Sequence, residues 1–325
     1  MVAAIETMMY ARQVPWHGLG NYIGEDDLLS ADALTASGLD WTVNKQPVYA
    51  FTGDGQAISI DDHKAVVRDT DNKVLGVVGN KYVPIQNHEA FTFMDSLVDE
   101  GLMRYHTAGS LKGGRRVWLL GKIGETEIVP RDKVDQYLFL YNGFDGKAAL
   151  RCLWTHIRVV CSNTASAALS HGAKTGVSIR HTGNAASKMQ EAHRVLGLAN
   201  KAFDESNAFL KVLADTPMGT SDWVDLCLTL FPEPVVDEDG KVSKRGRSRV
   251  DNKRRELTSL FLDGTGSTIP GVRGTAWGAY NAITEYASFF RTTRGSQDRR
   301  FESLMLGTGS AFVKQGTEIL RELAA

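Results

Sequence analysis

The sequence predicts an α+β protein in which an antiparallel β-hairpin sheet packs with helices and is followed by a mostly helical C-terminal part. Short β-rich runs separated by turn residues dominate the first half of the chain. Helical patterns dominate the second half. Strands and helices do not alternate regularly, as a parallel βαβ sheet would require. The 32 glycines among the 325 residues agree with many turns and hairpins.

The N-terminal 45 residues are predicted to be an irregular segment, and residues 46–185 an α+β core. Between Gln46 and Pro84, turn residues that include a predicted turn at Asp61-Asp62 separate short β-rich runs. These runs, which predict a meander of antiparallel hairpins, cover residues 48–52, 57–60, 64–68 and 74–78.

A helix is predicted to follow this meander. Asn87 is a suitable N-cap, and the apolar residues Phe91, Met94, Leu97 and Val98 recur on one face before Gly101. Further strands are predicted over residues 116–120, 136–141 and 149–160. A short Ala-rich helix, capped by Ser162 or Asn163, should then run to Ser170.

Residues 186–325 are predicted to form a helical region with a basic loop at 241–255. From Met189 to Leu213, apolar or small residues recur at three- and four-residue steps, as in a coiled-coil seam. This seam packs either on its own domain or against a neighbouring subunit. We expect a mobile loop over Lys241–Arg249, a helix over Lys253–Leu262 and another over Trp277–Phe290.

The formal net charge of −1 conceals a local asymmetry. Between Ala202 and Gly240, nine acidic residues accompany one base, whereas Lys241–Arg255 contains eight bases and one acid. The basic segment could contact phosphates, pair with the acidic block within or between subunits, or be a solvated loop without a role. The sequence leaves these three alternatives open.

No pattern typical of a catalytic, cofactor or membrane site was found. The histidines lack metal-binding spacing, no serine lies in a GxSxG elbow, and Cys152, Cys161 and Cys227 have apolar neighbours. No run approaches the roughly 18 apolar residues of a membrane span. We therefore expect a cytoplasmic, non-enzymatic protein without a cofactor or a membrane partner. A metal-dependent nuclease with carboxylates from distant positions stays an alternative.

Basic residues beside aromatic ones instead indicate nucleic-acid binding, in which cations contact phosphates and bases stack on exposed rings. The aromatic residues in question are Tyr141, Phe144 and Trp154; alternatively, these rings belong to the core and the bases to a solvated face. The residues predicted to contact DNA are Lys112, Arg115, Arg116, Lys147, Arg151, Trp154, Arg158, Lys244, Arg245, Arg247, Arg249, Lys253 and Arg254.

Two stretches carry a resemblance to a known family. Residues 15–20 read PWHGLG, and residues 155–164 read THIRVVCSNT. With them the chain resembles, over nearly its whole length, the phage/plasmid-like protein family catalogued as domain of unknown function 932. The resemblance implies a phage- or plasmid-encoded protein in a bacterial host.

Phage-borne proteins of this kind are similar to the Rad52-like single-strand annealing group, an analogy of fold rather than of site. It implies single-stranded DNA as the partner, a homo-oligomer with a ring as one form, and DNA recombination by strand annealing without covalent chemistry. A phage protein that binds a host factor is a further alternative.

Overall fold

The computed structural model describes residues 5–11, 20–24, 30–99, 101–158, 163–165, 176–184, 199–234, 243–291, 303–304 and 307–325. It confirms the α+β class, with antiparallel sheets and a helical C-terminal part. The chain divides into two compact units. The first contains residues 1–124, 137–154 and 174–199, and the second contains residues 125–136, 155–173 and 200–325.

The strands form one large and one small sheet. They are β1 (Ile5–Tyr10), β2 (Asn21–Tyr22), β3 (Val43–Phe51), β4 (Ala57–Arg68), β5 (Val74–Gly79), β6 (Arg104–Leu111), β7 (Arg116–Val129), β8 (Asp132–Gly143), β9 (Leu150–Arg158), β10 (Asn163–Ala165) and β11 (Gly176–Ile179). The large sheet has the order β10-β9-β8-β7-β6-β1-β2, with β11 also paired to β9, and the small sheet has the order β3-β4-β5.

The helices that the structure describes lie mostly in the second unit. They are α1 (Ser30–Ala36), α2 (Asn87–Asp99), α3 (Ala199–Asp215), α4 (Thr220–Leu230), α5 (Lys244–Asp263), α6 (Ala276–Glu285) and α7 (Thr308–Leu323), and a π-helical turn (Tyr286–Phe290) continues α6. No helix in the described part of the chain is both long and apolar enough to cross a membrane.

The described part of the N-terminal segment is not irregular, contrary to the prediction. Its strand β1 pairs antiparallel with β6, and Met9 and Leu39 are fully buried in the core of the first unit. The pairing joins residues about a hundred positions apart, and such long-range partners leave no trace in a local sequence pattern. The PWHGLG stretch lies outside the described residues apart from Gly20.

The predicted turn at Asp61-Asp62 is also wrong. Strand β4 runs through this position, but its register to β3 jumps from Lys64 opposite Pro47 to Ile60 opposite Val48. Residues 61–63 therefore bulge out of the ladder. The Nδ2 atom of Asn80 donates a hydrogen bond of 2.7 Å to the carbonyl oxygen of Asp61 and holds the bulge in place.

Helix α2 confirms its prediction. It begins at Asn87, and Phe91 and Met94 are completely buried in the core of the first unit. The predicted Ala-rich helix is wrong where it can be compared, because Asn163–Ala165 form β10 and pair with β9. Residues 166–170 lie outside the described part of the chain.

The seam predicted from Met189 corresponds in part to α3, whose described residues begin at Ala199. Leu210 and Leu213 are fully buried in the core of the second unit, so this part of the seam packs on its own chain. The helix predicted over Trp277–Phe290 is confirmed, with Tyr280 and Ile283 in the same core.

The predicted mobile loop over Lys241–Arg249 is wrong from Lys244 onward, where α5 begins. Ser243 caps this helix, since its side chain accepts a 3.0 Å hydrogen bond from the N–H of Gly246. The first two turns of α5 contain no large apolar residue before Val250, so amphipathic periodicity could not reveal them. The cap is the local signal that marks the start of the helix.

Candidate functional site

Five predicted DNA-contacting residues lie on the N-terminal half of α5 and are all exposed. Together they are called the α5 basic face: Lys244, Arg245, Arg247, Arg249 and Lys253. Arg245, Arg249 and Lys253 follow one another at four-residue steps and therefore form a stripe along one side of the helix. Consecutive members of this stripe are about 6 Å apart along the helix axis.

The C-terminal half of α5 is fixed in the core of the second unit. Leu257 is fully buried, and the ring of Phe261 stacks on that of Trp223 with centroids 4.1 Å apart. The indole N–H of Trp223 donates a 3.1 Å hydrogen bond to the Oγ1 atom of Thr258. These contacts hold the C-terminal half of the helix in the core, whereas the five bases of its N-terminal half are exposed.

The charge arrangement on α5 is unfavourable for the isolated helix. Its first turn contains no acidic residue, although the N-terminus of a helix carries partial positive charge. Arg245 and Arg249, and Arg249 and Lys253, are like-charged pairs at four-residue spacing. Together these effects cost on the order of 1–2 kcal/mol. An anion bound at this face would relieve them.

Arg254 has a different role from its neighbours. Its guanidinium donates to the carbonyl oxygen of Phe231 from Nε at 3.0 Å and from Nη2 at 2.5 Å. It also forms an ion pair of 2.6 Å with Glu233, which belongs to the acidic block. Arg254 thus fits the alternative of pairing within the chain, and not that of phosphate contact.

The α5 basic face itself has no such partner in the described part of the chain. Among the described residues, no carboxylate lies within ion-pairing distance of Lys244, Arg245, Arg247 or Arg249. Lys253 lies 5.8 Å from the ring centroid of Phe231, a cation–π contact with a ring.

The first unit holds a second basic surface where two turns meet. Arg116 is buried and forms a 2.5 Å ion pair with Asp145, while its Nη1 atom donates to the carbonyl oxygen of Arg115. Burial is the largest single effect and raises the pKa of Asp145, but the hydrogen bonds and positive charges of Arg116 and Lys147 together outweigh it and lower the pKa. Arg116 is therefore a structural residue, and its predicted role as an exposed DNA contact does not fit its burial.

The ion pair between Arg116 and Asp145 places other bases at the same end of the sheet. The N–H of Phe144 donates to the carbonyl oxygen of Arg115 at 3.0 Å, and the N–H of Lys147 donates to the carboxylate of Asp145 at 2.9 Å. The side chains of Arg115 and Lys147 are exposed. Lys112 is half-buried in the neighbouring turn, where its φ is 55°.

The aromatic residues predicted to stack on bases belong instead to the interior. Tyr141 and Phe144 are buried, and Phe144 packs edge-on against Trp41 with ring centroids 5.2 Å apart. Trp154 is half-buried and packs against the core of the first unit. The described rings thus agree with the alternative that these aromatics are core residues.

Two predicted bases lie on β9. Arg151 is exposed and stands opposite Ser178 of β11. The side chain of Arg158 lies outside the described part of the chain.

The described part of the THIRVVCSNT stretch is structural. Thr155 and His156 are buried, and the ring of His156 packs edge-on against Phe203 at 5.3 Å. Burial lowers the pKa of His156 to about 4, although a hydrogen bond with Asn207 acts in the opposite direction. His156 is therefore neutral at physiological pH and unsuited to phosphate binding. Residues 159–162 lie outside the described part.

Metal and thiol sites in proteins are built from His, Cys, Asp and Glu side chains. In the portion of the chain that the structure describes, no three His, Cys, Asp or Glu side chains are grouped so that they could hold a metal ion. Cys152 and Cys227 are buried core residues, and burial raises the pKa of both thiols, that of Cys227 to about 11. This agrees with the apolar neighbours of both cysteines in the sequence.

One exposed feature was missed by the sequence reasoning. The hairpin of β3 and β4 carries large apolar side chains in solvent, including Tyr49 and Ile58, and Phe51 is 74% exposed. The sequence contained a signal for this feature, because the predicted hairpin has apolar residues on both of its faces. A hairpin with one face in the core and the other in solvent would have apolar residues on one face only.

Comparison with known proteins gives a family but no activity. No curated protein and no solved structure matches the chain. The model of one family, described as Domain of unknown function (DUF932), matches residues 74–305, which include most of both units. On this match over more than half of its length, the chain belongs to the family Domain of unknown function (DUF932).

Proposed function

We propose that the protein binds single-stranded DNA by its phosphates, chiefly through the α5 basic face, and promotes strand annealing in phage or plasmid recombination. The observation that carries the proposal is five exposed cations on one core-anchored helix whose first turn lacks an acidic residue. Phosphates would offset the unfavourable charge arrangement of this helix.

The mechanism requires no covalent step. Two complementary strands repel each other through their phosphates, and bound cations reduce this repulsion. The stripe of Arg245, Arg249 and Lys253 contacts successive phosphates from one side. Tyr141 and Phe144 are buried and cannot stack on bases; in this proposal the protein holds the strand by its phosphates and leaves the Watson–Crick edges free to pair. This is the property that annealing needs, and it supports the analogy with the Rad52-like group.

The proposal is tested by binding of the full chain to labelled single-stranded DNA across a salt series. Each phosphate contact contributes about 0.7 to the slope of log affinity against log salt for single strands. Five contacts predict a slope near −3.5, so the affinity falls about 100-fold between roughly 50 and 200 mM salt. In the variant R245A/R249A/K253A the slope should be near −1.4, and the affinity should fall only about 7-fold over that range.

A matched control removes the same charge from elsewhere in the second unit. Lys211, Arg273 and Lys314 are exposed and lie outside α5, so K211A/R273A/K314A should keep most of the original slope. Equal slopes for the stripe variant and the wild type would remove the α5 basic face from the proposal. Absence of binding at low salt would refute nucleic-acid binding altogether.

Annealing is measured separately as the rate at which two complementary oligonucleotides form a duplex. We expect acceleration by the wild type and a loss of most of this acceleration in the stripe variant. Binding without acceleration would limit the function to strand protection. Shortening of the labelled DNA that depends on a divalent metal would favour a nuclease instead.

A further inference from the structure

The β3–β4 hairpin ends in an exposed arm, defined as residues 47–63. Every residue of the arm is exposed or half-buried, whereas Ala65 and Val66, just beyond it on β4, are buried in the first unit. The bulge at residues 61–63 separates the two parts of the hairpin. The arm is therefore a two-stranded projection with solvent on both of its faces.

The arm is held in a defined conformation. At its tip, the N–H of Thr52 donates to the carbonyl oxygen of Gln56 at 3.0 Å, and the N–H of Gln56 donates to the hydroxyl of Thr52 at 3.0 Å. Just before its first residue, the Nζ atom of Lys45 donates to the carbonyl oxygens of Asn80 and Tyr82, at 3.1 and 2.9 Å. An isolated two-stranded hairpin is only marginally stable in water. The hydrogen bonds at the tip stabilise the turn of the arm, and those of Lys45 attach its base to the first unit.

Both faces of the arm are apolar. Tyr49 and Phe51 share one face, and Ala50 shares the other with its partner Ile58. Tyr49 and Ile58 are 52% and 53% exposed. Grouped apolar side chains of this size in solvent indicate a surface that binds a partner.

Pairing through the edge of β3 is disfavoured. The N–H of Val43 donates to the side chain of Gln86, away from β4, whereas the N–H of Thr52 faces the other strand of the hairpin. Odd-numbered residues of β3 therefore direct their backbone groups outward, and among these Pro47 has no N–H to donate. The proline interrupts the free edge, so the faces of the arm and not its edge are available for binding.

The charge of the arm selects the type of partner. It contains Asp54, Asp61 and Asp62 and no Lys or Arg. The hydroxyl of Thr52 hydrogen-bonds to Asp54 and lowers the pKa of this carboxyl, and His63 does the same for Asp62. Two such arms repel each other, and phosphates are repelled as well. The complementary surface is basic, and its cations should be arginines because guanidinium groups stack on exposed Tyr and Phe rings.

The α5 basic face has these properties. We propose that the arm of one copy docks on the α5 basic face of a second copy, with guanidinium groups stacked on Tyr49 and Phe51 and the aspartates paired with the remaining bases. The contact joins two different surfaces, so it produces a closed ring or an open chain of copies. DNA and the arm then compete for the same face; this competition, and not the docking itself, rests on the proposed function.

The docking is tested by mixing two variants of the full chain and measuring mass by sedimentation velocity. Y49S/F51S damages the arm and leaves α5 intact, whereas R245D/R249D damages α5 and leaves the arm intact. The altered side chains are exposed, so both variants should fold, which circular dichroism verifies. We expect oligomers for the wild type and monomers for each variant alone. The two variants mixed should form a dimer and nothing larger, since only one productive contact is left.

The control V74S/V77S changes two other exposed apolar residues of the same small sheet, 50% and 53% exposed, and should assemble like the wild type. A monomeric wild type, variants that still assemble alone, or a mixture that stays monomeric would each overturn the docking proposal. DNA binding is read independently. Y49S/F51S should bind single-stranded DNA at least as tightly as the wild type. A wild type that assembles as expected but does not bind DNA would refute only the proposed function.

Discussion

Replacing Arg116 by methionine is expected to destabilise the first unit by roughly 3–5 kcal/mol, because it leaves the half-buried carboxylate of Asp145 without its cation. The Arg116 and Asp145 side chains are only 7% and 14% exposed, and their ion-pair distance is 2.5 Å. The change also removes the hydrogen bond that the Nη1 atom of Arg116 donates to the carbonyl oxygen of Arg115. At about 2–4 °C per kcal/mol, the unfolding temperature of this unit should fall by roughly 6–20 °C.

Differential scanning calorimetry of the full chain measures this effect, and two further variants control it. R115M removes an exposed base next to Arg116 and should change stability by less than about 0.5 kcal/mol. R116M/D145N removes both charges and should recover much of the loss. Because pairing lowers the pKa of Asp145, its contribution is present above the unfolded pKa of about 3.9 and is lost as pH falls below it. An unchanged unfolding temperature for R116M at neutral pH would refute the structural role of Arg116.

Two other predictions concern the cap of α5 and the buried histidines. S243A should destabilise the start of α5 by about 1 kcal/mol and weaken DNA binding, because the first turn of the helix frays without its cap. S243D keeps a capping oxygen and should not destabilise the helix. Equal helix content in the wild type and both variants would contradict this prediction. Burial lowers the pKa of His156 and His181 to about 4, so stability should fall as pH drops from about 6.5 to 4, by up to about 1.4 kcal/mol per pH unit for each histidine. Urea unfolding at several pH values measures this slope, and H181Q should reduce it; an unchanged slope would show that His181 does not contribute.

The elements that could be predicted from the sequence have local signals. Helix α2 combines an Asn cap with apolar residues at helical spacing, and both features act within a few turns of the chain. Helix α5 was missed over its first turns because its N-terminal half is polar and its apolar side chains begin only at Val250. The sequence predicted an antiparallel sheet but not the order of its strands, because the pairing of β1 with β6 depends on residues about a hundred positions apart.

The sequence by itself determined that the chain is α+β, that its charges are separated into an acidic and a basic block, and where most helices and strands lie. Only the tertiary structure decided which of the predicted bases are available to a ligand. Arg115 and Arg116 are neighbours of the same type, yet one is exposed and the other is paired with Asp145; likewise Arg249 is exposed, and Arg254 is bound to Glu233 and Phe231. Hydrogen bonding and residue spacing act locally and leave a pattern in the sequence, whereas the partner of a buried charge is brought to it by the fold.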